Sequence, residues 1–129
     1  IEGVSDSIHQ AASDQAIKSA EDVEIEKRLQ DLMTRENLYL DPDLTIGRLS
    51  RKLGIPSKQL SAAINKSTGE NSSRYINRFR IDHACHQMME GKSVTRAMYD
   101  SGFNTKSNFN REFLRLKGCA PREYINANS

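Results

Sequence analysis

The sequence predicts an all-α fold, in which two helix-turn-helix subdomains are joined by a long linker helix, with about seven helices in total. Composition is the first observation that predicts it: the 129 residues are 28% charged and 36% apolar and lack tryptophan, which favours a small helical protein over a β-sandwich. The second is a spacing of three to five residues between apolar positions in several segments, as in amphipathic helices. The third is an internal repeat, since a stretch of the first half recurs 48 to 49 residues later.

The repeat aligns Ile46–Ile55 with Val94–Phe103 at an offset of 48 residues, and both segments end in a glycine followed by an apolar residue. Past that point the offset becomes 49, and the matched positions are Leu60 with Phe109, Ile64 with Phe113, Gly69 with Gly118, and Tyr75-Ile76-Asn77 with Tyr124-Ile125-Asn126. So many matched features in one register indicate two copies of one structural unit.

The first copy is predicted to form a helix, a tight turn and a second helix. Thr45 can cap a helix over about 46–53, and Gly54 can end it in the left-handed conformation. A second helix is predicted from Pro56 or Ser57 to about Lys66, before a glycine closes it.

The second copy repeats this arrangement. Ser93 is predicted to cap a helix over about 94–101, Gly102 to end it, and Thr105 to start a helix that runs to about Lys117. The interval of three to four residues between the two helices of each copy is typical of a helix-turn-helix.

Three more helices are predicted outside the copies, over about 21–37, 72–90 and 121–127. Asp41-Pro42 breaks the chain after the first of them, and Pro121 suits the first position of the last. The predicted organisation is a linker or disordered segment over 1–20 and one domain over 21–129, with helix-turn-helix units at about 47–68 and 94–117.

Several classes of function are not predicted. The longest apolar run is three or four residues, whereas a transmembrane helix needs about 20, so no membrane contact by this segment is expected. His83, Cys85 and His86 superficially resemble metal ligands, but Cys85 points away from the face that the two histidines share, and no metal or cofactor is predicted. No phosphate-binding loop or nucleophile elbow is present, so an enzyme is not expected. Two cysteines are too few for a disulfide scaffold, which indicates reduced thiols in a cytoplasmic protein.

Charge divides the chain unevenly. Residues 1–42 carry ten acids and four bases, a net charge of −6, whereas residues 43–129 carry fifteen bases and seven acids, a net charge of +8. A basic segment of this size favours a polyanionic partner, although a well-solvated surface would look the same from charge alone.

The second helix of each copy offers a polar face. At 100° per residue, Leu60 and Ile64 mark the buried side of the first, opposite Lys58, Ser61, Ala62 and Asn65. In the second, Phe109, Phe113 and Leu116 are predicted to be buried, opposite Ser107, Asn110, Arg111 and Leu114, with Lys106 at the margin. Arginine can bind guanine and asparagine can bind adenine through two hydrogen bonds each. Lys66, Arg115 and Lys117 lie near helix ends, where phosphate contacts are expected.

Specific motifs link the chain to a known family. They are Leu49-Ser50-Arg51-Lys52-Leu53-Gly54, Gln59-Leu60-Ser61, Thr68-Gly69, Tyr75-Ile76-Asn77, Arg80-Ile81 with Ala84, and Gly102-Phe103 followed by Phe109-Asn110-Arg111-Glu112-Phe113, Gly118 and Pro121. With these motifs, the segment from about Asp43 to Asn126 resembles the DNA-binding domain of the AraC/XylS family of bacterial transcription regulators.

The resemblance implies a sequence-specific DNA-binding domain in which the second helix of each unit enters one of two successive major grooves. It places base-reading positions at Lys58, Ser61 and Ala62 in the first unit, and at Lys106, Ser107, Asn110 and Arg111 in the second. Family members often carry arginine where this chain has Ala62, so the first unit is expected to discriminate bases less than the second. Arg80 matches a family arginine that is either structural or phosphate-facing.

The expected partners are double-stranded DNA, RNA polymerase and a sensor region of the same protein. Because the chain begins at Ile1, it is expected to be the end of a longer protein. The acidic helix and the lead-in Leu38-Tyr39-Leu40-Asp41-Pro42-Asp43-Leu44 are similar to those of family members with a membrane-embedded sensory region. This resemblance implies that the longer protein is anchored in the membrane through an N-terminal region absent from this chain. The alternative is a protein-interaction module that couples a sensor region to a partner through the acidic 21–42 segment and has only nonspecific DNA affinity.

Overall fold

A computed structural model describes residues 20–128, and the described residues are helical, without a strand. The elements are α1 (Ala20–Glu36), a 3₁₀ turn (Leu38–Leu40), α2 (Ile46–Leu53), α3 (Ser57–Thr68), α4 (Ser72–Met89), α5 (Val94–Asp100), α6 (Lys106–Lys117) and α7 (Pro121–Asn128). The predicted all-α fold class is confirmed. The predicted linker lies outside the described residues except for Ala20, which begins α1.

The predicted caps form at three helix starts. The side-chain oxygens of Thr45, Ser93 and Thr105 accept hydrogen bonds from backbone N–H groups three residues ahead, at 3.2, 3.1 and 3.2 Å. Each bond satisfies a donor that the first helical turn would otherwise leave unpaired. Of the two starts proposed for α3, the second is correct, since Pro56 is the cap and the helix begins at Ser57.

The sequence repeat is also a structural repeat. Helices α3 and α6 both contain twelve residues, begin and end 49 residues apart, and stop at a glycine in the left-handed conformation, with φ of 72° at Gly69 and 76° at Gly118. Helix α3 runs two residues beyond Lys66 and ends at Gly69, the glycine that was predicted to close it.

The described residues form two compact units that alternate along the chain. The first unit contains 20–35 and 45–72, and the second contains 36–44 and 73–128. Helix α4, predicted as a linker, therefore belongs to the second unit apart from Ser72. The segment Glu36–Leu44, which we call the strap, also belongs to the second unit, although it precedes the first copy of the repeat.

Aliphatic side chains form the core of the first unit. Its buried apolar residues come from α1, α2, α3 and the turn between the last two: Ile25, Leu29, Met33, Leu49, Leu53, Ile55, Leu60, Ala63 and Ile64. Burial of one Leu or Ile side chain stabilises a fold by about 1.5–3 kcal/mol. Helix α1 is consequently part of this unit and not a free acidic extension.

A chain of aromatic rings runs through the core of the second unit. The rings of Phe103, Phe109, Phe113 and Tyr124 follow one another with centroid distances of 5.2, 5.7 and 5.6 Å. Tilted and edge-to-face ring pairs of this kind each add about 0.5–1.5 kcal/mol beyond the burial of their area. Met98 is packed into the same core, and its flexible, unbranched side chain suits it to fill an irregular space.

Candidate nucleic-acid interface

We call α3 and α6 the reading helices of the first and second unit, because each is the second helix of a helix-turn-helix. On α3, Lys58, Ala62 and Asn65 are exposed and Ser61 is half-buried, on the side away from the core. This is the face that the 100° periodicity predicts. The centre of this face lacks a hydrogen-bonding side chain, because Ala62 offers only a methyl group.

The exposed face of α6 is more polar. Lys106, Ser107, Asn110 and Arg111 are all exposed, and Phe109 and Phe113 are buried beneath them. One apolar side chain, Leu114, is 58% exposed on this helix. The face therefore combines hydrogen-bonding groups suited to base edges with an alkyl group suited to a thymine methyl.

Arg111 is held by a neighbour that sequence reasoning missed. Its Nη2 donates to Asn108 Oδ1 at 2.8 Å, and the backbone N–H of Asn108 is in turn capped by Thr105. A guanidinium that is already oriented loses less side-chain entropy when it binds a base. The spacing of three residues between Asn108 and Arg111 could have predicted this contact, because residues three apart on a helix share a face.

Acidic side chains of α1 line one flank of α3 in the first unit. Lys66 Nζ lies 3.3 Å from Asp22 Oδ2, and the two side chains are 45% and 10% exposed. Gln59 donates to Glu21 at 2.6 Å, and Ser67 donates to Glu26 at 2.8 Å. The ammonium group of Lys66, a predicted phosphate contact, is therefore paired with a carboxylate.

Ion pairs also occupy the C-terminal end of α6. Arg115 donates through Nη2 at 2.6 Å and through Nε at 3.2 Å to Glu112, whose side chain is nearly buried. Lys117 Nζ lies 3.3 Å from Asp82 Oδ1. A DNA phosphate would have to compete with these carboxylates, so Arg115 and Lys117 would bind a phosphate more weakly than their positions near the helix end indicate.

Of the two roles expected for Arg80, structural or phosphate-facing, its contacts indicate the structural one. It is 8% exposed and donates to the carbonyl oxygens of Tyr39 and Asp41 and to Asn77 Oδ1, at 2.7, 2.8 and 3.2 Å. Burial lowers the pKa of its guanidinium, and Asp41 opposes that effect. Because these donors are directed at the strap and at Asn77, Arg80 has a structural role.

Comparison with known proteins establishes the family. The family model described as a helix-turn-helix domain, of the AraC type, matches residues 49–127, more than half of the chain. The chain belongs to the AraC-type helix-turn-helix family. This family and fold are those of DNA-binding transcription regulators, so the chain is not an enzyme.

Curated relatives are similar to about two thirds of the chain. An HTH-type transcriptional regulator of Mycobacterium tuberculosis is 28% identical over 83 residues, which cover 64% of this chain and 32% of that protein. An HTH-type transcriptional regulator of Staphylococcus aureus is 26% identical over 88 residues, which cover 67% of this chain and 12% of that protein. This AraC-type domain thus spans a third or less of these relatives.

Solved structures share the fold. The C-terminal domain of the two-component response regulator yesN from Fusobacterium nucleatum has a TM-score of 0.66 and 23% identity, covering 78% of this chain and 96% of that one. The C-terminal domain of AraT, a response regulator from Geobacillus stearothermophilus, has a TM-score of 0.67 and 17% identity, covering 84% and 86%. A protein from Listeria innocua has a TM-score of 0.70 and 21% identity, covering 80% and 96%.

The histidine and cysteine cluster of α4 has other roles in this AraC-type domain. His83 Nδ1 lies 2.8 Å from Ser101 Oγ, and Cys85 is buried, which raises the pKa of its thiol. Among the described residues, no three His, Cys, Asp or Glu side chains are grouped so as to hold a metal ion. The same residues also include no helix with the length and apolar character needed to cross a membrane.

Proposed function

We propose that this domain binds double-stranded DNA in a sequence-dependent way, with α3 and α6 each entering a major groove. The base-reading residues in this proposal are Lys58, Ser61, Ala62 and Asn65 on α3, and Lys106, Ser107, Asn110 and Arg111 on α6. Lys66 and Arg115 would contact phosphates after release from their carboxylate partners. Base edges in the major groove carry a donor and acceptor pattern that is unique to each base pair.

The observation that carries the proposal is the repeated reading helix. Two helices of equal length, 49 residues apart, both follow a tight turn and both turn a polar face outward over an apolar core. One such helix is an ordinary surface helix, whereas two on one chain match paired recognition of half-sites about one helical turn apart. The charge of +8 over residues 43–129 supports the same partner.

We further propose that base discrimination is concentrated in the second unit. Ala62 can make only an apolar contact, whereas Arg111 can bind guanine through two hydrogen bonds. The first unit would then add affinity more than specificity, through charge on α3.

The domain is expected to be the output part of a longer regulator. The chain spans only 32% and 12% of the two curated relatives, and two of the similar structures are C-terminal domains of response regulators. A sensor region of the same protein would supply the signal, and RNA polymerase would be the partner once DNA is bound. In this proposal the domain binds DNA in the cytoplasm.

Selection from a random duplex library tests the proposal, followed by titration of the winner against scrambled DNA at about 150 mM salt. We expect a preference of about 10³-fold or more for the selected sequence. Two short motifs with centres about 10 bp apart would show that both units read DNA.

Other outcomes are equally informative. A single motif would assign reading to one unit, and Arg111→Ala would show whether that unit is the second. No preference would contradict sequence-dependent binding, and a steep salt slope alone would not rescue it, because any basic patch produces one.

A further inference from the structure

We propose that the strap, Glu36–Leu44, is a positioning element of the second reading helix. It lies before both helix-turn-helix units in the sequence, yet it holds the turn between α5 and α6. The inference deepens the proposed function, since it concerns how α6 is oriented for reading.

The side chain of Arg80, on α4, binds the backbone of the strap. Its Nε donates to the Tyr39 carbonyl at 2.7 Å and its Nη2 donates to the Asp41 carbonyl at 2.8 Å, while Nη1 donates to Asn77 on its own helix at 3.2 Å. Two directed bonds from one buried, planar guanidinium fix two points of the strap, and the third bond holds the guanidinium against its own helix. A lysine ammonium is a compact point charge without this fork, so it could not reproduce the geometry.

Gly102, at the turn between α5 and α6, rests directly on the strap. Its φ is +96°, and an added Cβ would collide with the Tyr39 carbonyl oxygen and lie 3.1 Å from the Leu40 carbonyl oxygen. The equivalent glycine of the first unit, Gly54, has φ of +67° and nothing within 4 Å of an added Cβ. The close approach to the strap is therefore specific to the second turn.

The Tyr39 side chain reaches the same turn through α4. Its ring stacks on Phe79 with centroids 5.7 Å apart and meets the edge of His83 at 6.0 Å. His83 Nδ1 in turn lies 2.8 Å from the hydroxyl of Ser101, a fully buried residue of the turn. Backbone and side-chain contacts of the strap thus converge on Ser101-Gly102.

The position of this turn sets the direction of α6. The helix begins at Lys106, a few residues after Gly102, and the intervening Phe103 is buried in the core while Arg80 lies 6.0 Å from its ring centroid. Two hydrogen bonds to one base edge require distances of about 2.7–3.2 Å, so a small rotation of α6 would break them. A loosened strap would therefore impair reading by α6.

The test uses Arg80→Lys and Tyr39→Ala in the full chain, with Arg78→Lys as a matched control, because Arg78 is exposed on the same helix. Affinity is measured for a selected two-motif duplex and for the same duplex with the α6 motif scrambled, alongside amide hydrogen exchange. We expect Arg80→Lys to weaken binding to the intact duplex about tenfold, as loss of one two-bond base contact by α6 does, with little change for the scrambled one. Amides of the turn at 101–103 should exchange faster.

Each result decides between positioning and mere support. The variants could lower the melting temperature while the α6 motif still contributes as much to DNA affinity at 25 °C as it does in the wild type. In that case the strap only stabilises the fold and the proposal is wrong. It is also wrong if Tyr39→Ala, which leaves the Arg80 bonds possible, affects neither exchange nor the α6 motif while Arg80→Lys unfolds the chain. Failure of the proposed function is distinct, since the wild-type chain would then show no α6 motif at all.

Discussion

The two helix-turn-helix units have matching helices but different supports. In the first unit, α1 supplies part of the aliphatic core, and Arg28 donates to the carbonyl of Leu53, the last residue of α2, at 2.8 Å. In the second unit, α4 and the strap enclose the turn, and Arg80 donates to the strap instead of to the first helix of the motif. The repeat therefore determines the helices, and the residues outside it make the two copies different.

The surroundings of the reading helices differ in the same way. Carboxylates of α1 bind side chains along α3, including Lys66, whereas the N-terminal half of α6 presents exposed side chains and an Arg111 oriented by Asn108. An anionic flank opposes a phosphate backbone, and an oriented guanidinium favours a base edge. This difference supports the proposal that base discrimination is concentrated in the second unit.

Alanine at the two turn glycines gives the largest expected effect. Gly102→Ala should destabilise the second unit by about 3 kcal/mol or more, because a left-handed backbone and a collision with the strap add together. Gly54→Ala should cost about 1–2 kcal/mol, from the left-handed conformation alone. Hydrogen exchange in α6 and α3 measures each unit separately, and equal losses in both variants would contradict the difference between the turns.

Removal of the central reading side chains should separate specificity from affinity. Arg111→Ala is expected to cost about 1–3 kcal/mol on the selected sequence and to relax the preference at one base pair. Lys58→Ala is expected to weaken binding to all sequences similarly. Repeating the selection with both variants tests this, and the assignment fails if Arg111→Ala keeps specificity while Lys58→Ala abolishes it.

Salt dependence should distinguish a paired cation from an exposed one. Lys58→Ala should reduce the slope of log affinity against log salt by about 1, the effect of one lost exposed cation that adds affinity through its charge. Lys66→Ala should reduce it by less than half as much, because Asp22 already binds that ammonium. In an Asp22→Asn background Lys66 should regain its full effect; identical slopes in both backgrounds would show that the ion pair does not tune binding.

Local signals account for what the sequence could predict. Thr45, Ser93 and Thr105 cap helices within three residues of themselves, and the glycines after α3 and α6 end them, so these boundaries are readable along the chain. The strap was not predictable in this way, since its Tyr39 carbonyl meets Arg80 across 41 residues. The Asp22–Lys66 pair spans 44 residues, and periodicity shows which face is exposed but not which cations on it are paired.

The smallest expected effect is a difference between the two turns in how their stability depends on pH. The second turn is linked to His83, whereas the first is linked to the guanidinium of Arg28. Burial lowers the pKa of His83, and the charged groups that act on it in addition are Asp100, His86, Lys92 and Glu90. Because the neutral ring is favoured in the folded state, its stabilising effect is complete above the unfolded pKa of about 6.5 and is lost as the pH falls toward the lowered value.

Protection of the second turn should therefore fall between pH 7.5 and pH 5.5, while that of the first turn changes less. The associated decrease in melting temperature should stay below about 4 °C, the shift that roughly 1 kcal/mol produces in a domain of this size. His83→Gln keeps a hydrogen-bonding group toward Ser101 and removes the titration, so its second turn should lose the pH dependence. If the wild type and His83→Gln respond alike to pH, other groups cause the dependence, and the two turns do not differ in this respect.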